Sequence, residues 1–158
     1  MHIFDPDLPR AGGSTGHGAQ HATSEDYMRL KQRLGIDRAV VVNPRYYLTD
    51  NRATLDAIQA LGPDRTRGVA VVAPDISDGE LLALRDGGIR GVRYTTPHVD
   101  ARHPVFGEAQ ALAPRLAALG MHLQLHWTVD QIVTHQDLLL HLPCTVVIDH
   151  MGRLPKSV

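Results

Sequence analysis

Asp149, His150 and Arg153 follow directly on the apolar run TVVI, within the stretch TVVIDHMGR (145–153). GVRYT (91–95) likewise brings Arg93 and Tyr94 to the end of an apolar segment, and HLQLH (122–126) alternates polar with apolar residues. With the period of two of a strand, His122, Gln124 and His126 share one face, and Leu123 and Leu125 take the other. His2 with Asp5, and Asn43, stand at similar places earlier in the chain. A buried guanidinium without an anionic partner is costly, so Arg93 needs either a ligand or a carboxylate of the chain. Both readings stay open at this point. A lone histidine at a strand end is more often hydrogen-bonded structure than catalyst. His17, His21, His98, His103, His135 and His141 fall in loops or helices and carry no assignment. By alternation Asp149 and His150 point to opposite faces, which reads Asp149 as a structural acceptor. Cys144 reads as an inert core thiol, and GGSTGHG lacks the GK[ST] ending of a phosphate loop.

The elements that must position these groups recur with a period of about thirty residues. Strand candidates are AVVVN (39–43), GVAVVA (68–73), GVRYT (91–95), HLQLH (122–126) and TVVIDH (145–150), with a further one around His2 to Phe4. Between them lie helical patterns at 24–34, 51–61, 78–86, near 107–119 and at 129–142, two of them with leucine and isoleucine at helical spacing. Gly35, Gly62, Gly88 and Gly120 follow four of these helices, where a left-handed residue closes a helix. Thr23 and Asp26 suit a capping box. Pro114 either starts or kinks the fourth helix. The stretch 11–19 reads as a mobile loop. Alternating strands and helices demand a parallel sheet with helical crossovers, and periodicity alone does not choose between an open sheet and part of a barrel.

With 158 residues, one domain is the expectation. Sixteen basic against seventeen acidic residues, without a Lys/Arg block, argue against nucleic acid as a partner. Apolar runs are too short to cross a membrane. One cysteine and a start without a signal-peptide pattern lead to an expected cytoplasmic location.

HIFDP, the segment from YYLTDN through RTRGVAVV, GVR and VVIDHMGR together resemble the amidohydrolase superfamily, in the branch of 2-pyrone-4,6-dicarboxylate lactonase and D-galactarolactone isomerase. The resemblance implies an α/β fold of the (β/α)8 TIM-barrel type, here incomplete, that opens or isomerises carboxylated lactones without a metal. On it, His2 and His150 match catalytic histidines, which would polarise the lactone carbonyl and stabilise oxyanion charge. Arg93 and Arg153 match arginines expected to grip a substrate carboxylate through paired charge-assisted hydrogen bonds. His126, Gln124, Tyr47, Thr49 and Asn51 complete the expected substrate-binding set.

Two departures from that pattern shape the expectation. The histidine two positions before His2 would precede Met1, and the last barrel strands, with the aspartate that serves as base, would lie beyond Val158. The chain therefore reads as truncated at both ends, with little or no lactonase activity by itself and with open strand edges through which copies could associate. A metal-dependent hydrolase or decarboxylase, with zinc on His2, His126 and His150, is the alternative enzyme, and a non-catalytic, self-associating barrel fragment is the third reading.

Overall fold

The computed structural model describes residues 1–5, 7–8, 22–95 and 105–154. The stretch 11–19, with His17, and also His21, His98 and His103 lie outside the described residues. The chain divides into two compact units, Met1–Arg90 and Gly91–Val158.

In the first unit the order is α1 (Ser24–Leu34), β1 (Ala39–Val42), α2 (Arg52–Leu61), β2 (Thr66–Ala70) and α3 (Asp78–Asp86). Helix α1 starts where its cap allows. The Thr23 hydroxyl accepts from the Asp26 N–H at 3.2 Å, and the Asp26 carboxylate accepts from the Thr23 N–H at 3.1 Å. Thr23→Ala should cost about 1 kcal/mol in a thermal melt. Gly35 and Gly62 take φ of +66° and +96°, so α1 and α2 close through a backbone that L side chains rarely adopt, whereas α3 is capped by Gly87 at φ −72° and Gly88 follows at +100°. β1 and β2 are parallel, from Ala39↔Thr66 to Val42↔Val69. The Gly68 N–H donates to the Gly88 carbonyl at 3.1 Å, which lays the chain entering the next strand along β2. Gly68 is also a point of close approach. A Cβ there would stand 2.4 Å from Cδ1 of Ile89 and 2.9 Å from Cδ1 of Ile58. Gly68→Ala should destabilise by about 1–3 kcal/mol in urea titration, the usual cost of overpacking.

The strand expected around His2 to Phe4 is reduced to one rung. The Met1 amine donates to Val40 O and the Val42 N–H to Met1 O, at 3.0 and 2.8 Å, bracketing Val41 as a parallel neighbour would. Phe4 then turns to an isolated antiparallel bridge with Ala22, which ends the pairing. Ile3 packs with Val41, Ala57 and Leu61 in a buried cluster.

β3 (Ile89–Thr95) runs into the second unit, followed by α4 (Val105–Ala118), β4 (His122–His126), α5 (Val129–Thr134), α6 (Gln136–Leu140) and β5 (Val146–Ile148). β3 pairs with β4, and β4 with β5, both parallel. Among the described residues every pairing between named strands is parallel. Helix α4 continues through Pro114, at the loss of one backbone bond. The single helix expected over 129–142 is instead two. His135, at φ −113° and ψ 21°, breaks it, with its ring edge-on to buried Trp127 at 6.0 Å. The last strand is shorter than the expected 145–150, because the chain leaves the sheet after Ile148.

Candidate functional site

Register sets the site in the second unit. Parallel pairing puts Gly91 beside His122, Arg93 beside Gln124 and Thr95 beside His126, so the polar face of β4 adjoins Arg93. Gly91 leaves room there: a Cβ would fall 2.2 Å from His122 Nε2. β5 adds a third row, with Gln124 beside Val147. Continuing that register one pair beyond the strand end carries Asp149 to the same face as His126.

Asp149 is the hub of this face and the acceptor expected of it, while His150, expected on the opposite face, joins it. Its Oδ2 is ion-paired with Arg93 Nη2 at 2.7 Å and accepts from Gln124 Nε2 at 3.0 Å, and its Oδ1 accepts from the His150 N–H at 3.1 Å. His150 escapes the alternation of the strand because β5 ends at Ile148. His150, Met151, Gly152 and Arg153 all take positive φ, between 49° and 69°, and this left-handed turn swings His150 back until its ring lies 4.9 Å from that of His126. Three of the four residues are not glycine, and such backbone strain concentrates at functional sites.

The tautomer of His126 follows from its neighbour. Arg93 Nη2 stands 2.9 Å from His126 Nδ1, and a guanidinium has only donors. Nδ1 therefore accepts, and in the neutral ring Nε2 carries the proton. Burial, then the charges of Arg93 and Arg153, push the His126 pKa down to about 4, so the ring is neutral at pH 7. Burial also lowers the pKa of Arg93, against the pull of Asp149. For Asp149, burial alone would raise the pKa, but Arg93, the Gln124 hydrogen bond and the two histidines hold it below the usual value. Among the described residues, Arg93 Nε and His126 Nε2 are buried with no hydrogen-bond partner. One cluster thus holds two unsatisfied buried donors.

The sign of the pH dependence is fixed by these shifts. His126 binds its proton less readily folded than unfolded, so its contribution is fully present above its unfolded pKa of about 6.5 and is lost as pH falls toward about 4. Asp149, depressed when folded, adds a loss at lower pH in the same direction. Urea midpoints followed from pH 7 to pH 4 should fall, and His126→Gln should flatten the decline above pH 4.

In the first unit, His2 Nδ1–H donates to the Val42 carbonyl at 2.7 Å. The Tyr47 hydroxyl donates to Asp5 O and accepts from Asp5 N–H, both at 2.9 Å, which commits it to pinning the N-terminal segment. The Asn51 amide donates to Val71 O and accepts from Val71 N–H at 2.8 and 2.9 Å. Thr49 and Asn51, with Val71, Asp75 and Glu80, line a cleft of about 260 Å³. The structure therefore gathers Arg93, Gln124, His126 and His150 in one unit, with Arg153 near enough for its charge to act on Arg93 and His126. It places His2, Tyr47, Thr49 and Asn51 in the other. Asp149 is the structural acceptor that the sequence suggests, but its pairing with Arg93 is not read there, although the need of a buried Arg93 for an anion is the signal for it.

Comparison with known proteins places this arrangement. The amidohydrolase family pattern matches residues 7–157. The chain belongs to the amidohydrolase family. Within that family it is 38% identical, over 96% of its own length and 50% of the relative's, to a 2-pyrone-4,6-dicarboxylate hydrolase of Comamonas testosteroni. It is 31% identical to a 4-sulfomuconolactone hydrolase of Hydrogenophaga intermedia, over 98% of this chain and 51% of that one. A probable 2-pyrone-4,6-dicarboxylic acid hydrolase from Acinetobacter baumannii, solved with citric acid bound, superposes with a TM-score of 0.85 at 28% identity, over 96% of this chain and 57% of that chain. This member of the amidohydrolase family thus spans about half the length of the curated relatives it matches, and it shares their α/β, (β/α)8-barrel type of fold over that span. Among its described residues no group of three or more His, Cys, Asp and Glu side chains is placed to hold a metal ion, and no helix is long and apolar enough to cross a membrane.

Proposed function

We propose that the chain supplies the carboxylate- and carbonyl-binding part of a lactone hydrolase acting on a carboxylated pyrone or sugar-acid lactone. One observation carries the reading: buried Arg93 and neutral His126 each present an unpartnered N–H from the same cluster. An unsatisfied buried donor costs about 1–3 kcal/mol, and a ligand oxygen removes that cost. Among the described residues, Arg93 and Arg153 against the one carboxylate of Asp149 leave the cluster cationic, which suits an anionic ligand. The relatives are named for the hydrolysis of two lactones, and one relative's structure holds citric acid, itself a polycarboxylate.

In hydrolysis, water adds to the lactone carbonyl, negative charge develops on its oxygen, and the ring C–O bond breaks; one proton of the water ends on the ring oxygen as a hydroxyl and the other is released to solvent as the new carboxyl group ionises. A neutral imidazole N–H can stabilise that oxygen without first losing a proton. We assign this task to His126 Nε2–H, with His150 beside it. Arg93 and Arg153 take a carboxylate, and Gln124 holds Asp149. The proposed reaction uses no metal: Nδ1 of His126 accepts from Arg93 and Nε2 is protonated, so neither nitrogen has a free lone pair to give. Self-association through strand edges and a cytoplasmic location belong to the same proposal, and sedimentation of the purified chain tests the first.

Calorimetric titration with 2-pyrone-4,6-dicarboxylate tests the function. The wild-type chain should bind it, and Arg93→Met or Arg153→Met should weaken binding by about 1.5–3 kcal/mol, the worth of a charge-assisted hydrogen bond. Equal affinity in all three proteins would return both arginines to a purely structural role.

A further inference from the structure

We infer that Asp149 is a positioning residue that sets the tautomer of His126 through Arg93. The inference rests on the reading of His126 as a donor and adds the group that makes it one. Its basis is the grouping at a single nitrogen. Arg93 Nη2 is ion-paired with Asp149 Oδ2 at 2.7 Å and hydrogen-bonded to His126 Nδ1 at 2.9 Å. The ion pair holds the guanidinium beside the imidazole, where it can only donate. The carboxylate is itself held on both oxygens, by Gln124 Nε2 on Oδ2 and by the His150 N–H on Oδ1. Buried Gln124 and Arg93 allow little room for another arrangement. A proton on Nδ1 would meet the guanidinium donor to donor, and only the Nε2–H form escapes this. The order of dependence is thus Asp149, then Arg93, then His126, and only the last of the three would touch the lactone carbonyl.

Nitrogen-15 NMR of the imidazoles in the ligand-free 158-residue chain, near pH 7, tests this. His126 should show a protonated Nε2 and an unprotonated Nδ1. In Asp149→Ala the tautomer ratio should move by about tenfold or more toward Nδ1–H, the ratio that a charge-assisted hydrogen bond commands. Asp149→Asn keeps an acceptor oxygen and should retain the wild-type signature, a rescue that loss of packing alone would not give. Nδ1–H in the wild-type chain overturns the inference, and so does an unchanged ratio in Asp149→Ala. If Asp149→Ala does not fold, the wild-type spectrum and the Asp149→Asn spectrum still decide it, because an Nδ1–H signal in either contradicts the relay. Binding of the pyrone dicarboxylate together with the wrong tautomer would sink this inference and leave the proposed function standing. The right tautomer without binding would do the reverse.

Discussion

Arg93→Met should destabilise the chain by about 3 kcal/mol, toward the lower end of the cost of breaking a buried ion pair by removing one partner. The guanidinium is 6% exposed and the Asp149 side chain 20%, so part of the stranded charge reaches water and the upper end of the range does not apply. With Arg93 gone, Asp149 Oδ2 keeps Gln124 Nε2, which satisfies one lone pair but supplies no charge. His126 at the same time loses the donor at Nδ1. The double variant Arg93→Met/Asp149→Asn should be more stable than the single one, because the unpaired charge is removed with its partner. Urea denaturation of the three proteins gives the comparison. A loss below about 1 kcal/mol for Arg93→Met would place the pair with surface ion pairs and contradict its burial.

Trp127→Ala should cost about 3–5 kcal/mol, the range for emptying a buried aromatic site. Trp127 is fully buried, directly after β4, and Leu123 and Leu125 of that strand are fully buried as well. The indole therefore belongs to the support of the strand that carries Gln124 and His126. Its loss should lower the unfolding midpoint and weaken pyrone dicarboxylate binding together, whereas Trp127→Phe should retain most of both. A stable Trp127→Ala variant with intact binding would show that β4 holds its polar face without this packing.

What the sequence discloses of the fold is carried by periodic and capping signals, which act locally. Helices 24–34 and 78–86 stand where expected because Thr23 and Ser77 close capping boxes with Asp26 and Glu80. Gly35, Gly62, Gly88 and Gly120 all take the left-handed backbone expected of them. The strand HLQLH spans 122–126, as its alternation requires. Signals that depend on contacts far along the chain are not visible in this way. Asp149 meets Arg93, fifty-six positions earlier, through the register of three strands and the shortness of the last. The left-handed turn over His150 to Arg153 carries Met151 and Arg153 among its positive-φ residues, so only Gly152 hints at it. The break at His135 likewise has no glycine or proline to announce it. Arg93, His126, His150 and Arg153 could be picked from the sequence as strand-end groups, but the arrangement of donors that suits them to a ligand is visible only in the structure.

The most direct test of the central claim is a crystal structure of this chain with 2-pyrone-4,6-dicarboxylate. The account predicts ligand oxygens within hydrogen-bond distance of Arg93 Nε and His126 Nε2, with the Arg93–Asp149 pair intact. Ligand bound with both nitrogens still unpartnered, or seated only in the cleft of Thr49 and Asn51, would contradict it.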